Sequence, residues 1–148
     1  MSDGLRALAS VASANEDARA RAHADVLRAE ERARAHWQDA VERLAEAEGA
    51  LRAASDRGTS AADRVGADAH RAKLRERVAT ARQLALSRQV VHERAASAVE
   101  ASRASLGLAH GEHRLARGRV ERADGQTRAS RVRREDDEAD DLAGRKRD

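Results

Sequence analysis

The sequence predicts an all-α chain: a long antiparallel two-helix coiled-coil hairpin whose C-terminal end is frayed or partly disordered. Three observations lead there. The composition is that of exposed helices. Apolar residues recur at steps of three and four along two long stretches. One strong break separates those stretches. Of the 148 residues, 41% are hydrophobic, but 36 of those residues are alanine. Leu and Val together number 22, Ile, Phe and Tyr are absent, and Trp37 is the sole aromatic. A single compact core needs large apolar side chains in bulk, and this chain has few. A β-sheet protein is excluded by the scarcity of β-branched and aromatic residues. With no cysteine in the chain, disulfide scaffolds and thiol chemistry are excluded as well. Alanine, arginine and glutamate at this density favour helix, no proline interrupts it, and 37% charged residues keep much of its surface in water.

The first helix is expected over about residues 5–55. Val26, Ala29, Ala33, Trp37, Ala40, Leu44, Ala47, Leu51 and Ala54 are separated by threes and fours, with one extra four-residue step. This is a heptad-like seam with a stutter. Leu5, Leu8 and Ala12 extend it backward, but Asn15 and Arg19 interrupt it.

The break is Ser55-Asp56-Arg57-Gly58-Thr59-Ser60. Gly58 suits the left-handed residue that closes a helix, and Ser60 with Asp63 has the spacing of a capping box. A turn is expected at about 56–60.

The second helix is expected over about 61–135, followed by a charged tail at 136–148. Its seam reads Leu74, Val78, Ala81, Leu84, Arg88, Val91, Ala95, Ala98, Ser102, Leu106, Ala109, His113, Ala116, Val120 and Ala123, twelve of the fifteen being apolar. At 1.5 Å per residue the two helices would be about 75 Å and about 110 Å long, so the second overhangs. Gly111, Gly118 and Gly125 repeat every seven residues within it. They imply either a partner helix in close approach or a mobile C-terminal third.

The charge balance limits the functions available. Lys and Arg number 29 and Asp and Glu 26, for a net charge of +3. The signs alternate along most of the chain, as on solvated helix faces carrying i,i+4 pairs, rather than as on a nucleic-acid-binding surface. The long one-signed runs come at the end: Arg128, Arg131, Arg133 and Arg134, then Glu135, Asp136, Asp137, Glu138, Asp140 and Asp141. Without aromatic residues between the arginines the cluster lacks a base-stacking platform, and no nucleic-acid partner is assigned. No stretch approaches the roughly 18 apolar residues of a membrane span, and the N-terminus has no secretory-signal pattern. A cytoplasmic chain is therefore expected.

Little in the sequence carries chemistry. His110 and His113 have i,i+3 spacing with Glu112 beside them, but structural zinc wants four ligands. The glycines are isolated, so no phosphate loop exists. Two amphipathic helices offer no closed pocket in which to shift a carboxylate pKa. No catalytic residue, metal or cofactor is assigned, and the chain is expected not to be an enzyme. Trp37 is either a core residue or an exposed anchor beside Val41, Leu44 and Ala45.

The ends of the chain resemble those of the FliJ/YscO/HrpO family, the small stalk proteins of flagellar and type III secretion export systems. Glu121-Arg122, the arginines from Arg128 to Arg134, and Asp140-Asp141-Leu142-Ala143-Gly144-Arg145 are similar to that family's Arg/Glu-rich ending and its D-E-[LI]-A-x-R signature, with Asp141 where Glu is usual. Leu5, Leu8, Glu16, Ala18 and Leu27 are similar to the family's opening helix. The resemblance implies a helical hairpin whose paired ends insert into the hexameric ring of the secretion ATPase, promoting ring assembly and coupling it to the membrane export gate. Some family members also bind export chaperones. It further implies that Leu5, Leu8, Arg128, Arg131, Arg133, Arg134, Asp140 and Asp141 face the ATPase. Trp37, Val41 and Leu44 are then candidates for the gate or a chaperone. The place implied is cytoplasmic, peripheral to the inner-membrane secretion apparatus. The competing expectation is a generic self-associating coiled-coil adaptor; a stator-type ATPase regulator and a nucleic-acid binder rank below it.

Overall fold

The computed structural model describes Ser2–Asp56 and Arg64–Arg145, and within them the side chains of residues 3–56 and 64–138. All of it is helical: α1 spans Ser2–Asp56 and α2 spans Arg64–Arg145, and the two form a helical hairpin. Alanine-rich sequence without proline sustains both helices, and Asp3 lies favourably in the first turn of α1. The expected turn falls on residues 57–63, outside the described residues. The helix α2 runs on past residue 135, where a tail was expected to begin. The reason is local. The arginine block and the acidic block lie one turn apart, so Arg131 donates to Glu135 at 2.9 Å, an i,i+4 pair that supports the helix across the change of sign.

By contacts the chain divides into a terminal unit, Met1–Ala22 with Arg103–Asp148, and a central unit, His23–Ser102. In each, a segment of α1 packs antiparallel on a segment of α2. Burial shows which residues face inward. In α1 they are Leu5, Ala9, Ala12, Glu16, His23, Val26, Glu30, Ala33, Trp37, Ala40, Leu44, Ala47, Leu51 and Ala54, with Arg19 at the remaining position of the series. The steps alternate four and three throughout, which is an unbroken heptad. The expected stutter is absent, because Glu30 rather than Ala29 occupies the seam. Likewise Ala9, not Leu8, faces α2; Leu8 is 60% exposed.

The helix α2 shows the same correction. Its inward series is Ala67, Arg71, Leu74, Val78, Ala81, Ala85, His92, Ala95, Val99, Ser102, Leu106, Ala109, His113, Ala116, Val120 and Ala123, with Arg88 exposed at one position. Ala85, His92 and Val99 replace the expected Leu84, Val91 and Ala98, each displaced by one residue. The displaced trio would have broken the alternation of threes and fours. The polar His92 restores it, and Leu84 and Val91 are left on the neighbouring row, partly exposed. Arg19 and Arg88 hold seam positions while their long side chains reach out to water.

Among the described residues the buried side chains are Ala33, Ala40, Ala47, Leu74, Ala85 and Ala109, none of them fully enclosed. Five of the six are alanine, so each such layer removes little apolar area from water. Such a seam fixes position weakly, and the polar residues within it carry much of the specificity.

Candidate functional site

The polar seam residues meet one another. In the terminal unit, Glu16 on α1 faces His110 and His113 on α2. His110 Nδ1 donates to one carboxylate oxygen at 2.7 Å, and His113 Nδ1 donates to the other. These two hydrogen bonds, His110 first, hold the Glu16 carboxyl below its ordinary pKa of 4.5. Next along the same unit, Arg6 donates to Asp124 at 3.1 Å. In the central unit, His23 and Ser102 share a hydrogen bond of 3.1 Å. Glu30 lies 3.6 Å from His92 Nε2, and the His92 ring meets Trp37 edge-on, with centroids 5.2 Å apart and planes at 89°. Arg82 donates to Glu48 at 3.1 Å.

The sequence singled out His110 and His113 but not their partner. Glu16 entered only among the residues similar to the family's opening helix, and the apolar reading of the seam passed over it. Glu112, expected beside the histidines, is exposed. Among the described residues no group of three or more His, Cys, Asp or Glu is arranged to hold a metal ion. The pair of imidazoles on one carboxylate is a closed set of hydrogen bonds, and its chemistry is that of a pH-dependent clasp.

The residues that the family resemblance assigns to an ATPase contact fall in the terminal unit. Leu5 is half-buried in the seam and Leu8 is exposed. Arg128, Arg131, Arg133 and Arg134 all point to water, Arg131 with its side chain 82% exposed even while it pairs with Glu135. The side chains of Asp140 and Asp141 lie outside the described residues. The residues assigned to a gate or chaperone fall in the central unit. Trp37 and Leu44 are half-buried seam residues, and Val41, 41% exposed, stands on the rim beside Trp37. The Trp37 ring borders two shallow clefts, one completed by Gln89, His92 and Glu93, the other by Gln38, Val41 and Glu42. Trp37 is thus a half-buried seam residue packed edge-on against His92.

A longer open groove in the central unit runs between Arg43, Glu46 and Ala47 of α1 and Lys73, Glu76, Arg77, Thr80, Ala81 and Leu84 of α2. No described helix is long and apolar enough to cross a membrane. Comparison with protein-family models, with curated proteins and with solved structures finds no match to this chain.

Proposed function

We propose that the chain is a non-enzymatic stalk component of a type III secretion system, working in the cytoplasm at the periphery of the inner-membrane apparatus. In this role it binds the hexameric secretion ATPase, promotes assembly and activity of the ring, and couples the ring to the export gate, with export chaperones as further partners. The observation that supports this reading best is the sorting of the candidate residues. Leu5, Leu8 and the four arginines from Arg128 to Arg134 belong to one compact unit, while Trp37, Val41 and Leu44 belong to the other. A hairpin with two separate contact regions suits a coupling element better than it suits a receptor for a single ligand. The exposed arginines make the first contact charge-steered and therefore salt-sensitive.

The test is a pull-down and ATPase assay with a type III secretion ATPase, at two salt concentrations. Salt-sensitive binding with stimulated hydrolysis or oligomerisation is expected. Replacing Arg128, Arg131, Arg133 and Arg134 together by alanine should weaken binding while helical content stays unchanged. Binding by the quadruple variant as tight as by the parent at low salt would overturn the assignment of those residues.

A further inference from the structure

One face of α2 in the terminal unit carries its charges in a regular order. Counted in steps of three and four, the chain gives Arg114 and Arg117, then Glu121 and Asp124. The same steps continue to Arg128 and Arg131, then to Glu135 and Glu138. This spacing keeps all eight on one stripe about 36 Å long, with the slow winding of a coiled-coil seam. The signs run two positive, two negative, two positive, two negative. Seven of the eight residues are exposed, and Asp124, half-buried, bridges to Arg6. The stripe lies outside the seam, and the row on its outer side is Gly111, Gly118, Gly125 and Val132, so no long side chain flanks it there. A single helix makes poor use of this order. Opposite signs fall four residues apart only where blocks join, and there Arg117 donates to Glu121 and Arg131 to Glu135, each at 2.9 Å. Inside every block two like charges stand three residues apart and repel.

We propose that this stripe is a self-association surface whose occupant is the same stripe of a second copy of this chain, antiparallel to the first about a two-fold axis at residue 126. The order of charge selects that partner and that direction. Read backward, the run of signs is its own complement. Arg114 then faces Glu138, Arg117 faces Glu135, Glu121 faces Arg131 and Asp124 faces Arg128. The two-fold axis repeats each pair, so every charge of the stripe meets an opposite sign and the contact is closed. A parallel pairing in register sets like against like at every position. Sliding the antiparallel pair by one heptad also brings like signs together, as Glu121 against Glu138 and Arg128 against Arg131. Sliding it by two heptads leaves half of the pairs. With four charges of each sign, the stripe has no net attraction for a polyanion. The pairing is therefore selective for partner, direction and register. It rests on exposed ion pairs, each of small worth, so the dimer is weak and salt-sensitive. The contact does not depend on the stalk role. It does include Arg128 and Arg131, so where the stalk role holds, self-association and ring binding compete.

The experiment is sedimentation equilibrium of the full chain from about 5 µM to about 500 µM, in about 20 mM and about 500 mM salt, with helical content followed by circular dichroism. A monomer–dimer equilibrium is expected at low salt, with a dissociation constant at least about tenfold higher at high salt. Glu135→Arg with Glu138→Arg should weaken the low-salt dimer at least about tenfold, and so should Arg114→Glu with Arg117→Glu. Mixed in equal amounts, the two double variants should associate as the parent does, because each supplies the charges that the other has lost. A variant that had merely lost helix would not be rescued in this way. The chain has no cysteine, so orientation has its own readout: Gly125→Cys, next to the axis, should oxidise to a covalent dimer faster than Gly111→Cys, two heptads away. A chain monomeric at about 500 µM in low salt, a dimer indifferent to both reversals, mixed variants that stay apart, or equal oxidation at the two cysteines would each overturn the proposal. Glu135 and Glu138 are not among the residues assigned to the ATPase, so loss of the dimer would leave that assignment standing.

Discussion

The three heptad-spaced glycines of α2 give the most quantitative test of the structure. Gly111, Gly118 and Gly125 lie inside a helix, where glycine is less favourable than alanine by about 0.8–1.0 kcal/mol. A Cβ added at any of the three meets nothing within 4 Å, so alanine costs no packing. Their backbones are ordinary helix with no positive φ, so alanine costs no strain either. The sites are seven residues apart, about 10.5 Å along the axis, and should act additively. The triple alanine variant is therefore expected to gain about 2.5–3 kcal/mol, provided the terminal unit melts as one. Urea titration followed at 222 nm measures this, and hydrogen exchange shows whether the gain falls within 103–138. A gain confined to a local increase in helix signal, with the midpoint unmoved, would mean that this part of α2 unfolds separately. A loss of stability would refute the reasoning outright. It would mean that these positions are occupied in the native state, and a close helix from another chain would be the first suspect.

Other substitutions probe the seam. Leu74, 5% exposed, is the one large side chain among the buried residues described. Leu74→Ala should cost about 2–5 kcal/mol in the same titration, against less than about 0.5 kcal/mol for Val65→Ala at an 85% exposed site. Glu16 gives a pH signature. Its folded pKa lies below 4.5, so its contribution is complete above that pH and is lost as pH falls through the folded value. Acid titration of the parent should show a loss of terminal-unit stability beginning below about pH 4.5, and Glu16→Gln should flatten that segment of the curve. Replacing Glu30 and His92 together by leucine should be neutral or should stabilise the central unit by about 1–4 kcal/mol, whereas His92→Ala alone should destabilise it. Thermal melts of the two variants distinguish these outcomes by sign.

The fold was legible because composition and periodicity agree on it. Thirty-six alanines without a proline leave few alternatives to long helices, and the single Gly58 break divides them in two. The seam itself was legible only in part. Reading apolar residues alone drew Ala29, Leu84, Val91 and Ala98 into it and left out Glu30, Ala85, His92 and Val99. The physical reason is that alanine carries almost no information about facing. It is the commonest residue of the chain and stands at inward and outward positions of both helices, so the series can drift by one residue at little apparent cost. The strict alternation of threes and fours was the better guide, and it pointed at charged residues. The clasp of Glu16 with His110 and His113 was hidden for the same reason, since a carboxylate at a seam position reads as an interruption.

Those polar layers explain how so featureless a seam holds one register. Slipping the seam by a heptad exchanges alanine for alanine at some layers, as Ala109 for Ala116 and Ala116 for Ala123, and costs little packing there. The polar layers do not tolerate it. In the observed register Glu16 lies against His110 and His113; one heptad in either direction replaces His113 by Leu106 or Val120 and His110 by Arg103 or Arg117, so the two-imidazole set is lost. The same slip takes Arg6 from Asp124 to Arg117 or Arg131, turning an ion pair into a repulsion. In the central unit Glu48 would trade Arg82 for Gln89 in one direction. Few residues are therefore needed to align two long helices, provided they are polar, unevenly spaced and mutually selective. Such an arrangement fixes position without deep burial.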